Sequence, residues 1–184
     1  MDPLPLSALN DYLYCERRAA LKFIEGLCGT NEHTLLGDLA HAHVDTPGYE
    51  QRAGWELLRA LPLFSDTLGL SGKADLVEVS RVDFHESQIG GMSACGLGTD
   101  IKFERPRRIA AARPVEYKTG PQRRFDNDEV QLCAQALCLE EMFGLTVRDG
   151  AVFHAASACR TEVAFDEALR GRTMAAIANL RSLI

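Results

Sequence analysis

The sequence predicts an α/β protein: one domain over residues 1–184, with a central mixed β-sheet flanked by helices. Three observations carry this. Pro114–Lys118 and Leu68–Val79 alternate side chains as strands do. Stretches with apolar residues at helical spacing precede and follow them. The resulting order, helix, strand, strand, helix, strand, is that of a sheet with helices against it. A chain of 184 residues, 46% hydrophobic and 25% charged, is long and apolar enough for one soluble core.

Ser7 is placed to cap a first helix running to about Glu25, with Leu9, Leu13, Ala20 and Ile24 on its buried side. Cys28–Asn31 reads as a loop and Thr34–Val44 as a second helix, ended by Thr46-Pro47-Gly48. Gln51–Leu61 reads as a third helix, with Trp55, Leu58 and Leu61 inward. Leu68–Val79 reads as strands around a turn, and Val115–Lys118 as the next strand, with Pro114 as its first residue. Residues 80–113, with four glycines, suggest a loose connection or a hairpin. Asp126 or Asn127 caps a strong helix through Phe143, stopped by Gly144. Val147–His154 and Arg160–Phe165 read as paired strands. Asp166 caps a last helix to Ile184.

No run of about 18 apolar residues is present, so no transmembrane helix is expected. The N-terminus lacks the basic and apolar regions of a signal peptide, which points to the cytoplasm. The six cysteines are then expected as thiols, and none forms Cys-x-x-Cys. The net charge of −6 argues against indiscriminate nucleic-acid binding. Yet eight cations against two acids lie between Ile101 and Arg124, including Arg113, Arg123 and Arg124. Such a cluster is either a phosphate-facing patch or a solvated basic loop.

Glu116 and Lys118 are two apart on a strand and project together. A carboxylate suits a hard divalent cation, and a neighbouring lysine can assist a water attacking phosphate. A surface ion pair would give the same pattern. Upstream stand Gly72-Lys73-Ala74-Asp75, an aspartate inside a strand where it is disfavoured, and Gly37-Asp38-Leu39-Ala40-His41. Downstream, Gln131 and Gln135 share a helix face.

Histidine, Gly-x-x-Asp, Glu-x-Lys and a helical glutamine, in that order, resemble the RecB-like nucleases of the PD-(D/E)xK, restriction-endonuclease-like superfamily. The chain most resembles the CRISPR-associated exonuclease of the adaptation module, the fourth Cas family. Leu6–Asn10 leading to Tyr14–Arg18 is similar to that family's entrance. Pro114–Gly120 is similar to its Pro-Val-Glu-Tyr-Lys-x-Gly stretch, Asp128–Met142 to its glutamine helix, and Gly150–His154 with Arg160 to the strands that follow.

The resemblance implies His41, Asp75 and Glu116 as ligands of Mn²⁺ or Mg²⁺, with the Tyr117 carbonyl as a further one. It implies Lys118 as the catalytic lysine, Gln131 as a substrate-positioning residue, and Cys15 as the first of four 4Fe–4S ligands. Gln135 stands where the family usually has tyrosine. The separation of Asp75 and Glu116 is longer than typical. The other three cluster cysteines lie beyond the last helix in the family, so a longer parent, such as a fusion to the CRISPR integrase, is expected. The implied task is processing prespacer ends with single-stranded overhangs and selecting the adjacent motif, with the integrase and its small Cas partner. A non-cleaving DNA-binding subunit and a RecB-like repair nuclease are the competing readings.

Overall fold

The computed structural model describes residues 2–27, 48–52, 54–83, 107–119 and 127–184. It shows the expected α/β architecture. The strands are β1 (Leu4–Pro5), β2 (Gly48–Arg52), β3 (Trp55–Ser65), β4 (Leu70–Asp83), β5 (Arg107–Lys118), β6 (Asp149–His154) and β7 (Cys159–Ala164). They form one mixed sheet in the order β2-β3-β4-β5-β6-β7, with β1 parallel to β4. The helices are α1 (Leu6–Tyr14), α2 (Glu16–Phe23), α3 (Asn127–Phe143) and α4 (Glu167–Leu183). Their buried apolar residues all join one core cluster with Leu63, Val77, Val79, Ala112 and Val152. The opposite face of the sheet carries a smaller cluster of Leu57, Leu76, Val115 and Ala151 under Tyr117 and Phe153.

The first helix is two helices. Pro5, not Ser7, is the N-cap residue of α1, and Cys15 is extended at φ −167°, which ends α1 and starts α2. The break resets the helical phase. Leu9 is buried as expected, but Leu13 and Ile24 are exposed, and Leu6, Ala8 and Ala19 take the inner positions. Asp11, also buried, holds the two pieces together by accepting from Arg18 Nε at 2.8 Å and Lys22 Nζ at 2.6 Å.

Gln51–Leu61 is not a helix. It spans the end of β2 and most of β3, which pair antiparallel around Gly54 at φ 84°. Trp55, Leu58 and Leu61 recur at helical spacing, but five backbone pairs with β4, from Glu56 to Leu61, decide the segment for the sheet. In Leu68–Val79 the turn lies at the very start, not between two strands. The turn is at Gly69, φ 57°, and β4 then runs unbroken for 14 residues. Gly72 serves a close approach: a Cβ there would lie 2.8 Å from Leu6 Cδ1, where α1 begins against β4.

The strand at Val115–Lys118 begins earlier, at Arg107, so β4 and β5 both extend into residues 80–113 as an antiparallel pair. Pro114 is therefore internal to its strand rather than first. Tyr117 N–H points toward β4, so by alternation Pro114 N points toward β6. Pairing with β6 starts only at Val115, so the missing donor leaves no ladder bond unmade.

The rest follows expectation. α3 crosses from β5 to the parallel β6, β6 and β7 pair antiparallel, and Asp166 caps α4 by accepting from Leu169 N at 2.8 Å. The predicted helix Thr34–Val44, Asp126, Cys28 and Cys95 lie outside the described residues. No helix among those described is long and apolar enough to cross a membrane.

Candidate active site

The site begins where β5 parts from β4. The edge of β4 that faces β5 is paired to β1 at Leu70 and Ser71 and to β5 from Leu76 onward. Between them lies an interval ending at Asp75. The ladder's last pair is Leu76 with Val115, and one further step brings Asp75 opposite Glu116. Instead of a backbone bond, the Asp75 carboxylate accepts Tyr117 N–H at 2.8 Å. A residue in extended conformation sends its N–H and C=O to the same neighbour, so the Tyr117 carbonyl also leaves on the Asp75 side. On the other flank of Asp75, β3 is interrupted. Ala60, at φ 51°, falls between the pairs Arg59–Leu76 and Leu61–Ala74.

Glu116 is buried and turned toward α3. Its Oε1 accepts from Gln131 Nε2 and Lys118 Nζ, both at 2.9 Å, and its Oε2 accepts from Gln135 Nε2 at 2.6 Å. Lys118 Nζ also lies 3.2 Å from Asp128 Oδ1 and 3.3 Å from Gln131 Oε1. Burial would lower the Lys118 pKa, but the charges of Glu116 and Asp128 outweigh it and hold the ammonium well above its ordinary value. Asn10 on α1 donates to Asp128 Oδ1 at 2.8 Å and to Gln131 Oε1 at 3.1 Å. The N-terminal pair of helices thereby braces the glutamine helix.

Asp75, Glu116, the Tyr117 backbone, Lys118 and Gln131 are thus brought together at the end of β5. Arg113 is on the opposite sheet face. It is ion-paired with Asp149, Glu162 and Glu78, and it lies over the Trp55 ring. His41, Arg123 and Arg124 lie outside the described residues. Cys15 is exposed and lines a groove with Tyr12, Arg172, Ala175 and Asn179, the last of these about 7.5 Å of helix before Ile184. Cys133 and Cys138 are buried, and burial raises both thiols, Cys138 to about 12. Cys159 is exposed on β7.

Two contributors, Asp128 and Asn10, were not singled out from sequence. Asp128, Gln131 and Gln135 fall at i, i+3 and i+7 on one face of α3, a signal that was present. Both glutamines are buried rather than surface residues, because the face they share covers Glu116. Asn10 had no periodic signal, since its partners are more than a hundred residues away.

The donors suit a hard cation. Two carboxylates and a backbone carbonyl are oxygen ligands of the kind Mg²⁺ and Mn²⁺ take. Glu116 is already surrounded by donors, one of them a cation, as a buried anion requires. Among the described residues no three His, Cys, Asp or Glu side chains cluster.

The chain was also compared with known proteins. The chain is 34% identical over 184 residues to the CRISPR-associated exonuclease Cas4/endonuclease Cas1 fusion of Geobacter sulfurreducens, an alignment covering 95% of this chain and 28% of that protein. It is 30% identical over 191 residues to the CRISPR-associated exonuclease Cas4 of Rhodospirillum rubrum, covering 97% of this chain and 49% of that one. Over nearly its whole length the chain is similar to proteins named Cas4. It spans about half or less of the length of these relatives. No protein-family model matches it.

Proposed function

We propose that this chain is a metal-dependent DNA nuclease that trims prespacer ends and helps select the adjacent motif during CRISPR spacer acquisition. One observation carries the proposal. Asp75, Glu116 and Lys118 meet at the parting of β4 and β5, under two glutamine amides of α3. Asp75, Glu116, the Tyr117 carbonyl and His41 would hold Mn²⁺ or Mg²⁺. Bound there, the ion would polarise a phosphodiester and acidify a water.

The chain's own residues supply the rest. Asp75 holds the Tyr117 backbone in place, fixing the carbonyl beside it. Gln131 and Gln135 orient Glu116. Lys118, kept as an ammonium, offers positive charge to phosphate oxygens and a proton to a leaving oxygen. The cations flanking the site would grip phosphates, which positions the strand without reading its sequence. Partners follow the same reading: a Cas1-type integrase, as in the fusion relatives, and its small Cas partner. Cys15 would supply one thiolate of a 4Fe–4S cluster, whose other ligands would come from outside these residues.

The test is cleavage of single-stranded and overhanging DNA with and without Mn²⁺. Metal-dependent cutting that is lost in Glu116→Gln is expected. Tight DNA binding with no cutting in any metal would favour the non-cleaving subunit. If about four cations touch phosphates, log K on single strands falls with log salt at a slope of roughly −3.

A further inference from the structure

We propose that Gln135 is a positioning residue for Glu116, aiming its carboxylate at the metal. The inference rests on the reading of Glu116 as a metal ligand. Gln135 is fully buried on α3, and its Nε2 lies 2.6 Å from Glu116 Oε2. Among the described residues its own Oε1, which is buried, has no hydrogen-bond partner. An unpaired amide oxygen in a core is unfavourable, and neighbouring α3 positions are filled by Leu132, Ala136 and Leu139. An apolar side chain would suit that place better if packing were all it had to do. What the amide provides is one donor to one carboxylate oxygen.

The arrangement is asymmetric. Among the described residues, Glu116 Oε1 takes two donors, from Gln131 and Lys118, while Oε2 takes only the one from Gln135. A carboxylate oxygen has two lone-pair sites. The glutamine pair therefore fixes the plane of the carboxylate from both ends and leaves a lone pair of Oε2 for the cation. Gln135 does this from the position where the family usually carries tyrosine, whose hydroxyl is also a single donor.

The experiment is a Mn²⁺ titration of the full chain without DNA, following unbound ion by electron paramagnetic resonance, for the parent, Glu116→Gln, Gln135→Met and Gln135→Tyr. Each protein is also melted. Gln135→Met should melt cooperatively and bind Mn²⁺ about 10- to 100-fold more weakly, the usual cost of losing a group that orients a ligand. Gln135→Tyr should recover most of that loss. A structural role alone would lower the melting temperature and leave Mn²⁺ affinity at the parental value. Parental affinity in folded Gln135→Met overturns this inference and leaves the proposed function standing. A parent that binds no Mn²⁺, or a Glu116→Gln variant that binds as the parent does, overturns both. Should Gln135→Met not fold, Gln135→Asn keeps the amide but withdraws it from Oε2, and the same loss is expected.

Discussion

The two ends of α3 handle charge in opposite ways. At its N-terminal half the helix offers donors, the Gln131 and Gln135 amides, to a carboxylate that belongs to β5. At its C-terminal end it offers carboxylates to donors that belong to other elements. Glu140 takes both terminal nitrogens of Arg170, at 3.0 and 2.8 Å, and Val147 N at 2.8 Å. Glu141 accepts from the Ser65 hydroxyl and from Asp66 N at 2.9 Å. The second end is complete. A bidentate arginine matches each carboxylate oxygen, and two of its other three N–H groups go to the Val147 and Phe165 carbonyls. The first end holds its anion largely with neutral amides and one lysine that is shared with Asp128. A carboxylate held that way can accept a second cation; a carboxylate locked to arginine cannot do so without breaking the fold.

The largest effect should come from the first end. Lys118→Ala removes the cation at the site and should lower Mn²⁺-dependent cleavage by about 10²- to 10³-fold, the usual cost of one electrostatic donor. Single-turnover cleavage of an overhanging duplex checks it. Cutting at the parental rate would remove Lys118 from the chemistry. Next comes the second end. Arg170→Ala leaves Glu140 partly buried without its partner and should cost about 2 kcal/mol, below the 3–5 kcal/mol of a fully buried pair because both groups keep some solvent. Its cleavage rate per folded molecule should stay near that of the parent. A rate loss as large as that of Lys118→Ala would show that the two ends are coupled.

Acidity should separate the ends in a different way. Burial would raise Glu140, but the Arg170 hydrogen bonds outweigh it, and the Ser65 hydrogen bond leads the lowering at Glu141. Both folded values lie below the unfolded ones, so their stabilisation is present above about pH 4.3 and is lost as pH falls through the folded values. Lys118 is raised, so its contribution is full below about pH 10.4 and is lost only as pH climbs through its folded value. Melting temperatures between pH 3 and 7 should fall at the acid end. The fall should be shallower in Glu140→Gln/Glu141→Gln.

The site end of α3 was legible in the sequence and the structural end was not, for a physical reason. Glu116, Lys118 and Gln131 carry spacing: two apart on a strand, or on a helix face opposite it. Arg170 and Glu140 meet across thirty residues with no periodicity to announce them. The same distinction explains the secondary structure. α3, β6, β7 and α4 have caps or alternation that agree with their tertiary partners. Residues 51–61 have helical spacing that the β4 ladder overrides. The single helix expected across Cys15 failed because its apolar positions satisfy one phase only if the backbone never breaks.

The smallest effect tests whether the site end is strained as well as polar. Ala60 sits in the left-handed region inside β3, at the one point where the ladder skips the residue facing Asp75. That conformation costs a non-glycine residue roughly 1–2 kcal/mol. Ala60→Gly would relieve it. The change would also lose burial of a methyl group, about 0.8 kcal/mol, and add about 0.4–1 kcal/mol of unfolded-state entropy. These nearly cancel, so the single variant should shift stability by less than about 1 kcal/mol. A control isolates the strain. Ala112, in regular pairing on β5, is buried to a similar degree, 4% exposed against 7% for Ala60. Ala112→Gly loses the same methyl group and the same entropy with nothing returned. Ala60→Gly should therefore be more stable than Ala112→Gly by about 1–2 kcal/mol in urea melts. Equal values would mean that the bend at Ala60 carries no strain. The separation of Asp75 from the β3 ladder would then be imposed from the β5 side, by the Tyr117 hydrogen bond.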